Sequence, residues 1–142
     1  MREYVRRSEY HPDIEKLREL LSKVTDEQKL NILQQTKSRQ DGKTALHFAA
    51  HRGDAEMITT ILSSIQSADR LKLLMKRDYH SFTPLHEGAS EGHTESVKAI
   101  LNSLTADHQM QLLTAEDEDG KTAEEMASGE TADVLSEYKN KA

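Results

Sequence analysis

The sequence predicts an all-α solenoid of stacked antiparallel helix pairs joined by hairpin loops, on three observations. The phrase TALH at 44–47 returns as TPLH at 83–86, 39 residues later. DGKTA at 41–45 returns as HSFTP at 80–84 and again as DGKTA at 119–123. Gly53 recurs as Gly92, and the quartet Ile58, Ile61, Leu62, Ile65 recurs as Val97, Ile100, Leu101, Leu104, all in the same register. A fixed period in this range marks repeats that bury their apolar faces only by stacking. Two full repeats are expected over 41–79 and 80–118, with partial capping repeats at 13–40 and 119–142. Residues 1–12 are charged and aperiodic, and we expect them to be loosely ordered.

The first element is a helix with Leu17, Leu20, Leu21 and Val24 at i, i+3, i+4, i+7, the spacing of one buried stripe. It stands 41 residues before the matching quartet, so it reads as a second helix lacking its first, with two extra residues in the loop around 36–40. A third short helix follows every second one, at Leu30, Ile32, Leu33, at Leu71, Leu73, Leu74 and at Met110, Leu112, Leu113. Thr25 with Gln28 forms a capping-box pattern at the start of the first copy, and Thr105 is placed to cap the last. The middle copy has Gln66 and Ser67 there and a weaker start signal.

In each full unit the opening helix starts at a threonine. The Thr83 hydroxyl can accept from an orphan amide, and Pro84 lacks the N–H that would be wasted at the first helical position. Leu85 and Ala89, like Leu46 and Ala50, share one face, while Ala49 and Gly88 leave room for a neighbouring helix. Gly53 and Gly92 suit the left-handed residue that ends this helix.

These features together resemble the ankyrin repeat: the TPLH phrase, the glycine six positions after His86, the paired helices and the aspartate-rich hairpin before each threonine. The usual period is about 33 residues, and the surplus here matches the third helix. In the last unit TAEEMASGE at 122–130 replaces the apolar residue and the histidine by Glu124 and Glu125, as a polar terminal cap requires. The resemblance implies that His47 and His86 tie neighbouring hairpins together, and that partners are met by hairpin tips and the exposed side of the first helix. Carried over by position, these sites are Gln40, Asp41, Lys43, Phe48, His51 and Arg52, then Tyr79, His80, Phe82, Glu87, Ser90 and Glu91, then Glu118, Asp119, Lys121 and Met126. Three of the six aromatic residues, Phe48, Tyr79 and Phe82, fall in this set and are expected as anchors, unless the phenylalanines pack between hairpins.

Composition narrows the function classes. The 142 residues can bury roughly two thirds of their unfolded surface. There is no cysteine, which fits a reducing compartment, the cytoplasm or the nucleus. No apolar run approaches a membrane span, and no membrane association is expected. Residues 1–40 hold 9 basic against 7 acidic side chains, residues 41–78 hold 6 against 5, and residues 79–142 hold 4 against 13. Nucleic acid needs a basic stripe, which no unit presents, whereas the acidic end suits a solvated cap or a basic segment of a protein partner.

Catalytic patterns fail one by one. His47 and His51 stand at i, i+4, but the zincin phrase needs Glu where Phe48 stands, and HEGAS at 86–90 has Ser90 in place of the second histidine. No phosphate-binding loop and no Ser, His, Asp arrangement is present. The expectation is a noncatalytic, cofactor-free, monomeric recognition module for a protein partner. The alternatives are a spacer or self-associating piece of a longer solenoid and, more remotely, metal chemistry through His47 and His51.

Overall fold

The computed structural model describes residues 12–35 and 42–141, and no β-strand forms among them. The chain opens with α1 (Pro12–Ser22) and α2 (Asp26–Gln34). The first full unit follows as α3 (Ala45–Arg52), α4 (Ala55–Ser63) and α5 (Ser67–Leu74). The second is α6 (Pro84–Ser90), α7 (Thr94–Asn102) and α8 (Ala106–Leu113), and α9 (Ala123–Met126) and α10 (Gly129–Lys141) close the stack.

Three rows result. The inner row is α3, α6 and α9, the outer row α1, α4, α7 and α10, and the added third row α2, α5 and α8, with α10 also closing over α8. Ile58, Ile61, Leu62, Val97, Ile100 and Leu101 are buried between the rows, where each side chain contributes about 1.5–3 kcal/mol. Gly88 faces Ala50 of the preceding unit, and a Cβ there would meet the Ala50 Cβ at 3.8 Å, ordinary contact.

Start signals act as read. Thr25 and Gln28 close a capping box, the Thr105 hydroxyl accepts from the His108 N–H, and Gln66 makes no side-chain cap. Gly53 and Gly92 both take φ of 76° at the ends of α3 and α6. Gly129 instead begins α10, because α9 stops after four residues.

One expectation is corrected in α1. Leu20 is 48% exposed rather than part of the buried stripe, and Ile14 takes its share of the core at 1%. Positions 14, 17 and 21 fall within one arc, whereas Leu20 is turned about 100° from Leu21. Val24 lies past the helix end and is half-buried. The two extra residues expected near 36–40 and the segment 1–11 lie outside the described residues.

The third row does more than add apolar surface. Lys29, Arg70 and Gln109 occupy one repeated position and cap outer-row carbonyls: Lys29 Nζ donates to the Ser64 carbonyl at 3.0 Å, Arg70 Nε to Leu62 at 2.7 Å and Gln109 Nε2 to Leu101 at 2.7 Å. Helix ends leave such acceptors orphaned, so the inserted helix anchors itself by satisfying them.

The hairpins share one backbone device. Asp78 Oδ1 accepts from the N–H groups of His80 and Phe82, both at 2.9 Å, and Asp117 Oδ1 does the same for Asp119 and Lys121 at 2.8 and 2.9 Å. The tip residue is left-handed in all three hairpins: Gly42 at 71°, Gly120 at 79° and, at the same repeated position, Ser81 at 65°. A Cβ strains that conformation by about 1 kcal/mol. Ser81→Gly is therefore expected to raise stability by about 0.5–1 kcal/mol, read as a higher urea midpoint. A lower midpoint would show that the Ser81 side chain compensates the strain.

Candidate functional site

The face built from hairpins and inner helices is held by two copies of one histidine stitch. His47 Nδ1 accepts from the Thr44 N–H at 3.1 Å, and its Nε2 donates to the Phe82 carbonyl of the next hairpin at 2.8 Å. His86 repeats this with the Thr83 N–H at 3.2 Å and the Lys121 carbonyl at 3.0 Å. A carbonyl can only accept, so each ring is the neutral Nε2–H tautomer. Burial holds both histidines below their ordinary value of 6.5, against the opposing effect of the carbonyl bonds. With both nitrogens engaged, His47 has no lone pair left to share with His51 in metal binding. Among the described residues no group of three acidic, His or Cys side chains could hold a metal.

Beside the stitch lies a charge cluster across the first two units. Lys43 Nζ donates to Asp78 Oδ2 at 2.6 Å and to Glu87 Oε2, and His51 Nδ1 stands 3.1 Å from Glu87 Oε1. Asp78 and Glu87 are buried, and the Lys43 side chain is 19% exposed. Burial works against the charge on Lys43, but its hydrogen bonds to Asp78 and Glu87 prevail and raise its pKa. Burial likewise opposes the charge on Asp78, yet Lys43 and the Phe82 and His80 N–H groups hold its carboxyl below the usual range. Asp117 is also lowered, chiefly by the Lys121 N–H.

The structure sorts the expected contact residues by exposure. Tyr79 is 62% exposed at its hairpin tip, with its ring against the preceding tip: a Cβ on Gly42 would lie 2.8 Å from Tyr79 Cδ1. His51, Arg52, His80, Ser90, Glu91, Glu118, Asp119 and Lys121 are exposed, and His80 Nδ1 lies 3.3 Å from Glu118 Oε1. Phe48 and Met126 are half-buried. Phe82 is half-buried too, stacked on the His86 ring at 5.9 Å with Lys43 Nζ 5.9 Å above it, so it works as packing between hairpins. Glu87 is only 6% exposed and engaged by Lys43, not open surface. Gln40 and Asp41 lie outside the described residues. Sequence reasoning missed Asp78 as the buried partner of Lys43, although its recurrence as Asp117, five residues before the threonine, was a usable signal.

A family model described as ankyrin repeats (3 copies) matches residues 8–111. This chain belongs to the ankyrin repeat family. No curated protein matches it. Among solved structures it is similar to a chain in the crystal structure of the yeast ribosomal protein Rps3 in complex with its chaperone Yar1. The identity is 19% and the TM-score 0.65, over 92% of this chain and 82% of that one, a likeness in fold. No helix among the described residues is long and apolar enough to cross a membrane.

In this ankyrin repeat chain the stitch histidines make stability depend on pH. Their folded pKa values lie below 6.5, so their contribution is complete above that pH. It is lost as the pH falls toward the folded values, because the unfolded chain takes up protons that the folded one refuses. The expected loss approaches about 1.4 kcal/mol per pH unit for each histidine below about pH 6.5. Urea midpoints at about pH 7.5 and 5.5 check this; a flat profile would mean that the stitch admits a proton.

Proposed function

We propose that this ankyrin repeat chain is a noncatalytic recognition module that binds a protein partner through its concave face and hairpin tips. Tyr79 carries the reading: a large aromatic side chain, 62% exposed, held at a tip by its contact with Gly42. A ring already fixed in place loses little entropy when it becomes an interface anchor. Glu118 and Asp119, exposed on the following hairpin, and Glu91, exposed after the inner helix near His51, favour a partner segment rich in Lys and Arg. The reading includes a monomer working in the cytoplasm or the nucleus.

The test is recovery of partners from extract by the wild-type chain and by a folded Tyr79→Ala, Glu118→Lys, Asp119→Lys variant. A partner retained by the first should bind the second at least about 30-fold more weakly, the loss of about 2 kcal/mol typical of an anchor. Equal affinity would remove the tips from the interface.

A second reading, a spacer or self-associating unit of a longer array, rests on Leu20, 48% exposed on the terminal helix α1. Sedimentation that depends on concentration in the wild type but not in Leu20→Lys would favour it.

A further inference from the structure

The inserted third helix creates a feature where it meets the outer row, with no hairpin residue in its walls. A crevice of about 320 Å³ opens where α1, α2 and α4 meet, lined by Arg18, Ser22, Lys29, Thr60, Ser63 and Ser64 around Leu21. A second, of about 300 Å³, opens where α4, α5 and α7 meet, lined by Thr59, Ser63, Arg70, Asn102 and Ser103 around Leu62 and Ala99. They are successive copies of one site. Leu21 corresponds to Leu62, Ser22 to Ser63, Lys29 to Arg70 and Ser64 to Ser103, at the repeat offsets of 41 and 39. At the next junction the matching residue is Asn102, and the Tyr138 hydroxyl of α10 donates to its Oδ1.

Neither crevice is lined by a carboxylate, in a chain of net charge −6. The first sets Arg18 and Lys29 beside hydroxyls, each cation also near a solvent-exposed carboxylate outside the lining, Glu15 at 3.2 Å and Asp26 at 3.6 Å, and the second sets Arg70 beside hydroxyls. The Arg70 guanidinium spends Nε on Leu62 and Nη1 on the Ser103 carbonyl, and its fork retains a further nitrogen for a ligand. Stacked helices lie about 8–10 Å apart. A polyproline II chain rises about 3.1 Å per residue with three residues per turn, so side chains three apart lie on one side at nearly that spacing.

We propose that the two crevices form a docking strip for an extended acidic peptide, with carboxylates three residues apart seated one per crevice. The strip is independent of the tip surface. Ser63 lines both crevices and is exposed, which makes it the position to probe.

The probe is a fluorescein-labelled peptide of four Glu-Pro-Pro units, followed by fluorescence anisotropy against the full chain at low salt. Saturable binding is expected, weakened at least tenfold by Ser63→Glu, much less by the equally bulky Ser63→Gln, and unaffected by Tyr79→Ala. Far-UV circular dichroism confirms that each variant is folded. Four results would overturn the proposal: no binding by the wild type, equal binding of a Gln-Pro-Pro peptide, equal losses in the Glu and Gln variants, or competition by a single-stranded oligonucleotide at equal affinity. Self-association abolished by Ser63→Glu would assign the strip to a second copy instead and would also overturn it. Loss of peptide binding in Tyr79→Ala would place the peptide at the tips.

Discussion

His47→Ala is expected to lower stability by about 4 kcal/mol, the largest effect of any single side chain here. The deletion strands the Thr44 N–H, takes one of two donors from the Phe82 carbonyl, which keeps the Asp78 N–H at 3.0 Å, and opens space at a position with no exposed surface. The stranded amide costs about 1–3 kcal/mol, the lost bond to the carbonyl about 1 kcal/mol, and the vacated volume adds to that. Glutamine is the informative control. Glu125 already closes the same capping box on the Thr122 N–H at 2.9 Å, so a side chain of that length reaches the cap. His47→Gln should thus recover part of the loss and flatten the acid dependence. Denaturant midpoints at neutral pH decide it, and a loss below about 1 kcal/mol for the alanine variant would mean that the ring is not what joins the hairpins.

Lys43→Ala should cost about 3 kcal/mol, because it leaves Asp78 and Glu87 buried without their shared cation. The paired change Lys43→Met with Glu87→Gln should be milder, since it leaves one carboxylate, Asp78, without the cation instead of two. The cost of Lys43→Ala should also shrink as acid protonates Asp78, whose carboxyl Lys43 helps to hold below the usual range. A double-mutant cycle on Lys43 and Glu87 measures the coupling, and additive effects would show that solvent already screens the cluster.

The repeat was legible because its signals are local. A threonine before an apolar run, a proline at the first helical position and a glycine after the last turn each act within a few residues. Ser81 shows where such reading stops: DGKT and HSFT look different, yet the backbone takes the same left-handed tip in both. The site was less legible. Lys43 and Glu87 were expected at an exposed face, and hairpin stacking turns them inward onto residues 35 to 44 positions away in the chain.

The amino-acid sequence by itself determined the period, the helix starts and stops, the polar last repeat and the added third helix, since propensity, capping and apolar spacing are properties of short segments. Only the tertiary structure decided which polar residues became internal and which stayed free. Stacking sets one unit's hairpin against the next, so Glu87 is buried by Lys43, Phe82 is covered by His86, and Tyr79, resting on a glycine, stays in solvent. The same stacking opened the paired crevices, whose walls come from consecutive units and which no single repeat contains.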